Sequence, residues 1–89
     1  MDVPKKWQVI LLRQAKSYLK RLPANEVERI LNALYLIQKD PEKADIKPLE
    51  GRPEMSLRVG DKRILMRINT SEKEIVITRI GSRGDIYKK

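Results

Sequence analysis

The sequence has no cysteine and no histidine. Without cysteine there is no disulfide framework and no thiolate zinc site. Without histidine, no side chain titrates near neutral pH unless its pKa is strongly displaced. Any catalysis falls to lysine, arginine, tyrosine, aspartate, glutamate, serine or the backbone. The carboxylates are scattered, so a metal hydrolase is not expected. No apolar run approaches the ~18 residues of a membrane span. The stretch Trp7-Gln8-Val9-Ile10-Leu11-Leu12 is too short for a signal peptide and no cleavage site accompanies it. A cytoplasmic chain without a membrane partner is expected. Internal repeats and low-complexity segments are also lacking.

What is present is charge. The 89 residues, enough for one domain over 1–89, carry 20 Lys and Arg against 12 Asp and Glu, a formal net charge of +8. Residues 1–45 hold nine basic and six acidic residues; residues 46–89 hold eleven and six. The excess thus grows towards the C-terminal half. Both signs run along the whole chain, which is a globular pattern rather than a basic tail. Such a balance suits nucleic acid, an anionic surface or an acidic protein partner.

Hydrophobic periodicity orders the elements. Trp7 to Leu11 reads as a strand. Leu11, Ala15, Tyr18, Leu19 and Leu22 recur at helical spacing, and Pro23 stops that helix. Asn25 and Glu28 have the spacing of a capping box. Val27, Ile30, Leu31, Leu34 and Ile37 form the stripe of a second helix, closed by Lys39 and Asp40-Pro41. Residues 40–54, with three prolines and a glycine, predict an irregular connection with little strand of its own. Met55 to Val59, Ile64 to Ile68 and residues 74–80 then read as a three-strand meander, with turns at Gly60-Asp61 and Asn69 to Glu72. The expected fold is α+β in β-α-α-β-β-β order. A two-helix antiparallel hairpin packs on one face of a small, mainly antiparallel twisted sheet.

Alternation then sorts the strand side chains. Ile64, Met66 and Ile68 face the helices, so Arg63 and Arg67 face away. Arg58 opposes the Met55-Leu57-Val59 set. If the hairpins keep these faces, Arg58, Arg63 and Arg67 line one basic surface. Arg79 stays open, because the last strand is apolar on both faces. Two readings of the surface remain at this point. A polyanion meets it, with arginine forks on phosphate and Tyr87 stacked on a base. Alternatively, Glu50, Glu54, Asp61, Glu72, Glu74 and Asp85 pair the arginines in a salt-bridged face.

The order of short motifs adds a resemblance. Pro48-Leu49-Glu50-Gly51, then Ser56-Leu57-Arg58-Val59-Gly60-Asp61-Lys62-Arg63-Ile64-Leu65, then Ile80-Gly81-Ser82-Arg83 and Asp85-Ile86-Tyr87 resemble the RelE/ParE toxin superfamily. The early strand, the Leu22-Pro23 break and the meander match as well. The resemblance covers nearly the whole chain. It implies a toxin held by a RelB-like antitoxin, acidic and partly disordered when free. In the RelE branch it implies a ribosome-dependent, cofactor-free messenger RNA endoribonuclease acting in the ribosomal A site. There the RNA's 2′-hydroxyl attacks the adjacent phosphate and leaves a 2′,3′-cyclic phosphate and a 5′-hydroxyl. The ParE branch implies inhibition of DNA gyrase without nuclease activity.

Carried over residue by residue, Arg63 corresponds to the arginine on the scissile phosphate and Arg83 to a second phosphate stabiliser. Tyr87 corresponds to the base-stacking aromatic and Arg58 to a further phosphate ligand. Lys47, Lys62 and Arg67 are candidate RNA contacts. The pattern departs at two places. Ser82 stands where many relatives have histidine, and Ser56 where some have a lysine proposed as general base. Other relatives place a glutamate near the position of Lys47. Lys47, Glu50, Glu54 and Lys62 remain candidates for the base, and a catalytically decayed, antitoxin-binding member is a further alternative.

Overall fold

The structure, a computed structural model, describes residues 7–49 and 51–82. Strand β1 (Gln8–Leu11) is followed by helices α1 (Arg13–Arg21) and α2 (Ala24–Lys39), a single 3-10 turn (Pro41–Lys43), and strands β2 (Ile46–Pro48), β3 (Met55–Val59), β4 (Lys62–Asn69) and β5 (Glu74–Ser82). The sheet order is β1-β5-β4-β3-β2. Strands β2 to β5 form an antiparallel meander, and β1 returns alongside β5 in parallel. Both helices cover one face, as the two-layer argument requires.

Ala15 of α1 and Ile30, Leu34 and Ile37 of α2 pack on Leu57, Ile64, Met66, Ile75, Ile77 and Ile80. Leu57, Ile64 and Met66 lie on the parity that alternation assigns to the helix side, whereas Ile75, Ile77 and Ile80 share that side only through a register shift in β5. Trp7 packs partly buried against the same core, and the Gln38 side chain donates to its carbonyl at 3.0 Å. Beyond Leu11, β5 has no neighbouring strand on that edge. The Gln14 side chain takes its place: Nε2 donates to the Ile80 carbonyl at 3.0 Å and Oε1 accepts from the Ile80 N–H at 2.9 Å. One amide thus satisfies both backbone groups of a residue that would otherwise lack ladder partners.

Three expectations are corrected. The capping box does not form. Helix α2 begins at Ala24 behind Pro23, which provides no side-chain cap, and Asn25 already lies inside the first turn. Proline sets the entry angle there, and Glu26 supplies the negative charge favoured at a helix start. Leu31 does not join the core. It is 47% exposed, because the stripe that meets the sheet narrows to Ile30, Leu34 and Ile37. The connection over 40–54 contributes an edge strand, β2, where Ile46, Lys47 and Pro48 pair with Leu57, Ser56 and Met55. Proline is tolerated there because no strand lies beyond it.

The β3–β4 hairpin turns at Gly60-Asp61. Gly60 has φ +62°, and a Cβ built there meets Arg29 Nη2 at 3.2 Å. The left-handed turn calls for glycine, whereas the Arg29 guanidinium is the far end of a flexible side chain and can give way.

Candidate nucleic-acid interface

The sheet face away from the helices carries the arginines. Arg58 on β3 lies directly opposite Arg63 on β4. Leu65 lies opposite Ser56 on one side and Arg79 on the other, and Arg67 lies opposite Val76. Lys47 on β2 pairs with Ser56 and so shares its face. The structure thus brings together Lys47, Arg58, Arg63 and Arg67. It also resolves Arg79, which alternation left open. Between Leu65 and Met66 the β4–β5 register slips: Leu65 pairs with Arg79 but Met66 with Ile77. Thr78 is the extra residue. This bulge lets Ile77 and Ile80 both face the core while Arg79 stays on the arginine face.

Arg63 is the best-held cation of this face. Its Nη1 donates to Ser56 Oγ at 3.3 Å, and its Nε is buried without a partner. Ser56 is the buried polar side chain among the described residues, at 4% exposure. Arg63 therefore rests on a neutral hydroxyl rather than a carboxylate. No arginine makes an ion pair among the described residues; the three ion pairs there all belong to Lys43 or Lys62. The salt-bridged reading of the face fails for Glu54, Asp61, Glu72 and Glu74. Arg58 and Arg63 are like charges directly across a ladder, which costs stability. The arrangement makes electrostatic sense when an anion arrives.

Glu54 also reaches this face. Its Oε2 accepts a hydrogen bond from Thr78 Oγ at 3.1 Å, and the same hydroxyl lies 3.2 Å from the Leu65 carbonyl. Its parity with Ser56 was visible in the sequence. The meeting with Thr78 was not, because nothing in the sequence announces the bulge.

Lys62 sits elsewhere. It points to the helix side, where Nζ lies 3.5 Å from Glu26 and 3.3 Å from Asp61, with its side chain 14% exposed. Burial disfavours its charge, but the hydrogen bond to Asp61 and the fields of Tyr18, Asp61 and Glu26 outweigh it, so its pKa is raised. The expected RNA-contacting lysine is a strut between α2 and the β3–β4 turn. Its proton is held, which makes it a poor base. Arg83 and Tyr87 lie outside the described residues, as do Glu50 and Asp85.

No helix among the described residues is long and apolar enough to cross a membrane. The family model described as the ParE toxin of type II toxin-antitoxin systems matches residues 9–87. No curated protein sequence matches the chain significantly. Among solved structures, the toxin-antitoxin complex RelBE2 from Mycobacterium tuberculosis is 26% identical, with 89% of this chain and 100% of that chain covered and a TM-score of 0.77. The archaeal RelE-RelB complex from Pyrococcus horikoshii is 28% identical, covering 91% and 99%, also at a TM-score of 0.77. The isolated RelE toxin from E. coli shares the fold at 14% identity, 85% and 83% coverage and a TM-score of 0.73. With a helix-backed sheet, an unpaired arginine face and a family match over nearly its full length, the chain belongs to the RelE/ParE superfamily of toxins from type II toxin-antitoxin systems.

Proposed function

We propose that this toxin is a ribosome-dependent messenger RNA endoribonuclease of the RelE type. The observation that carries the reading is Arg63. It is a partly buried guanidinium, braced by Ser56 alone, with an unused Nε and a second arginine across the ladder. That is a site prepared for a phosphate. In the reaction, the 2′-hydroxyl oxygen bonds to the adjacent phosphorus, charge builds on the phosphoryl oxygens, and the bond to the 5′-oxygen breaks. A fixed guanidinium stabilises that charge more in the transition state than in the ground state. Arg58, Arg67, Arg79 and Lys47 track the backbone on either side. Arg83 and Tyr87 are assigned to the second phosphate contact and the stacked base. The fold supplies no histidine pair, so alignment of the 2′-hydroxyl on the ribosome carries part of the rate.

The partner that keeps the toxin silent is a RelB-like antitoxin, the kind of partner found in the complexes named above; it is acidic and partly disordered until bound. The test is primer extension on a defined message held on a ribosome with an empty A site. A new 5′ end at a fixed codon position is expected. Arg63→Ala, assayed at a temperature where the variant is shown to be folded, should slow its appearance on the order of 10²–10³-fold. An uncut message with trapped gyrase–DNA complexes in the same cells would instead place the chain with the ParE-type gyrase inhibitors, the branch for which the matching family model is named.

A further inference from the structure

We propose that Glu54 is the group that takes the proton from the attacking 2′-hydroxyl. The inference rests on the ribonuclease reading above and supplies the base that reading lacks. Glu54 immediately precedes β3, and the Leu49 N–H donates to its carbonyl at 3.1 Å, extending the β2–β3 ladder by one step. Its backbone is therefore fixed like that of a strand residue. Its side chain shares the face of Ser56, crosses β4 and reaches Thr78 on β5. Thr78 is available only because of the bulge. Strict alternation from Ile80 turns residue 78 towards the helices; the register slip turns it to the arginine face.

The carboxylate is thereby oriented without being neutralised. Oε2 is held by a neutral hydroxyl, and Glu54 makes no ion pair among the described residues. The charged groups of this face are Lys47 on β2, Arg58 on β3, Arg63 and Arg67 on β4, and Arg79 on β5. The other carboxylate on it, Glu74, sits opposite Asn69 at the far end of β4. Glu54 and Ser56 stand two residues apart on one side of a strand, about 6–7 Å. Ser56 is the brace of Arg63. That spacing fits a ribose hydroxyl within about 3 Å of the carboxylate and an adjacent phosphate on the guanidinium. Of the other candidate bases, Lys62 is ion-paired on the helix side, Lys47 is an exposed cation, and Glu50 lies outside the described residues. In the step, the 2′-hydroxyl proton passes to Glu54, the 2′-oxygen bonds to phosphorus and the P–O5′ bond breaks. The 5′-oxygen takes a proton from water, and Glu54 returns its own to solvent.

The experiment is single-turnover cleavage of ribosome-held message by the full chain and by Glu54→Gln. Glutamine keeps an amide oxygen for Thr78, so a purely structural contact survives the change. The expected result is a 10²–10⁴-fold slower cut at neutral pH, on the order typical of a lost general base, with ribosome binding and melting temperature unchanged. The residual rate should also climb with hydroxide between about pH 6 and 8, where the unmodified toxin does not. Thr78→Val, which frees the carboxylate, should slow cleavage by a smaller factor. Cleavage by Glu54→Gln at the original rate, or slowed with an unchanged pH profile, overturns the assignment while leaving the ribonuclease reading intact. An uncut message with the unmodified toxin overturns both.

Discussion

Arg63 and Ser56 show how one hydrogen bond divides between stability and function. The guanidinium is partly buried, its Nε lacks a partner, and its neighbour across the ladder is Arg58. An unsatisfied buried donor costs about 1–3 kcal/mol, and directly opposed like charges add to that. Replacing Arg63 alone would orphan the buried Ser56 hydroxyl, so the informative variant removes both. Arg63→Met with Ser56→Ala leaves no unpaired polar atom at this spot. We expect it to be at least as stable as the natural sequence, and by about 1 kcal/mol more stable if the repulsion from Arg58 is relieved. For a chain of this size that is roughly 4–8 °C in melting temperature. It should also be inactive. A melting temperature several degrees lower would make Arg63 a structural residue. The cation of this pair was legible in the sequence, since alternation put Arg63 opposite the apolar parity of β4. Its environment was not. Serine in place of a lysine reads from sequence as a lost group, whereas in the fold Ser56 is the brace of the arginine across the ladder.

Among the elements, the helices and the meander were legible because their apolar periods are long and regular. Errors fell where a tertiary partner decides. Asn25 and Glu28 have capping-box spacing, but Pro23 fixes the start of α2 two residues earlier. Pro48 disguised β2, since a proline is tolerated only on an edge and the sequence does not say which strand is the edge. Lys62 belongs here too, because which way a turn-flanking lysine points depends on α2 coming to meet it. It joins Glu26 at the start of α2 to Asp61 in the β3–β4 turn. A lysine whose folded pKa is raised contributes stability that is fully present below its unfolded value, near 10.5, and is lost as pH rises through the higher folded value. Lys62→Met should therefore cost about 1 kcal/mol at neutral pH, given partners of mixed exposure. The difference from the natural chain should stay constant up to about pH 10 and close above it. Denaturant midpoints taken across that range check this. A gap that instead widens above pH 10 would refute the strut.

At the scale of the whole molecule, two surfaces stand out, and the apolar one is edged by Lys39, Asp40, Lys43 and Asp45. The arginine sheet face looks one way. The helix layer exposes Leu31, Tyr35 and Leu36 on α2, and Leu36 borders a groove of about 440 Å³ lined also by Ala33, Ile37, Ala44 and Leu57. An 89-residue chain buries a modest share of its surface, so a partner can add much to its stability. The proposed antitoxin has to answer both surfaces: acidic residues for the +8 chain, and an apolar helix face for the groove. Its binding to the folded toxin alone should raise stability by about 4 kcal/mol at a thousandfold excess over Kd, or roughly 15–30 °C in melting temperature for this size. Leu36→Glu separates the two surfaces. Leu36 is 63% exposed, so the free toxin's melting temperature should not change and cleavage of ribosome-held message should persist. Burying a carboxylate against Ile37 and Leu57 in the complex should weaken antitoxin binding by tenfold or more, on the order of 1–3 kcal/mol. Calorimetric titration of the two toxins with the antitoxin, repeated at raised salt, reads both contributions. The natural pair loses its electrostatic part with salt and keeps its apolar part, whereas unchanged affinity of Leu36→Glu would move the antitoxin's apolar contact off α2.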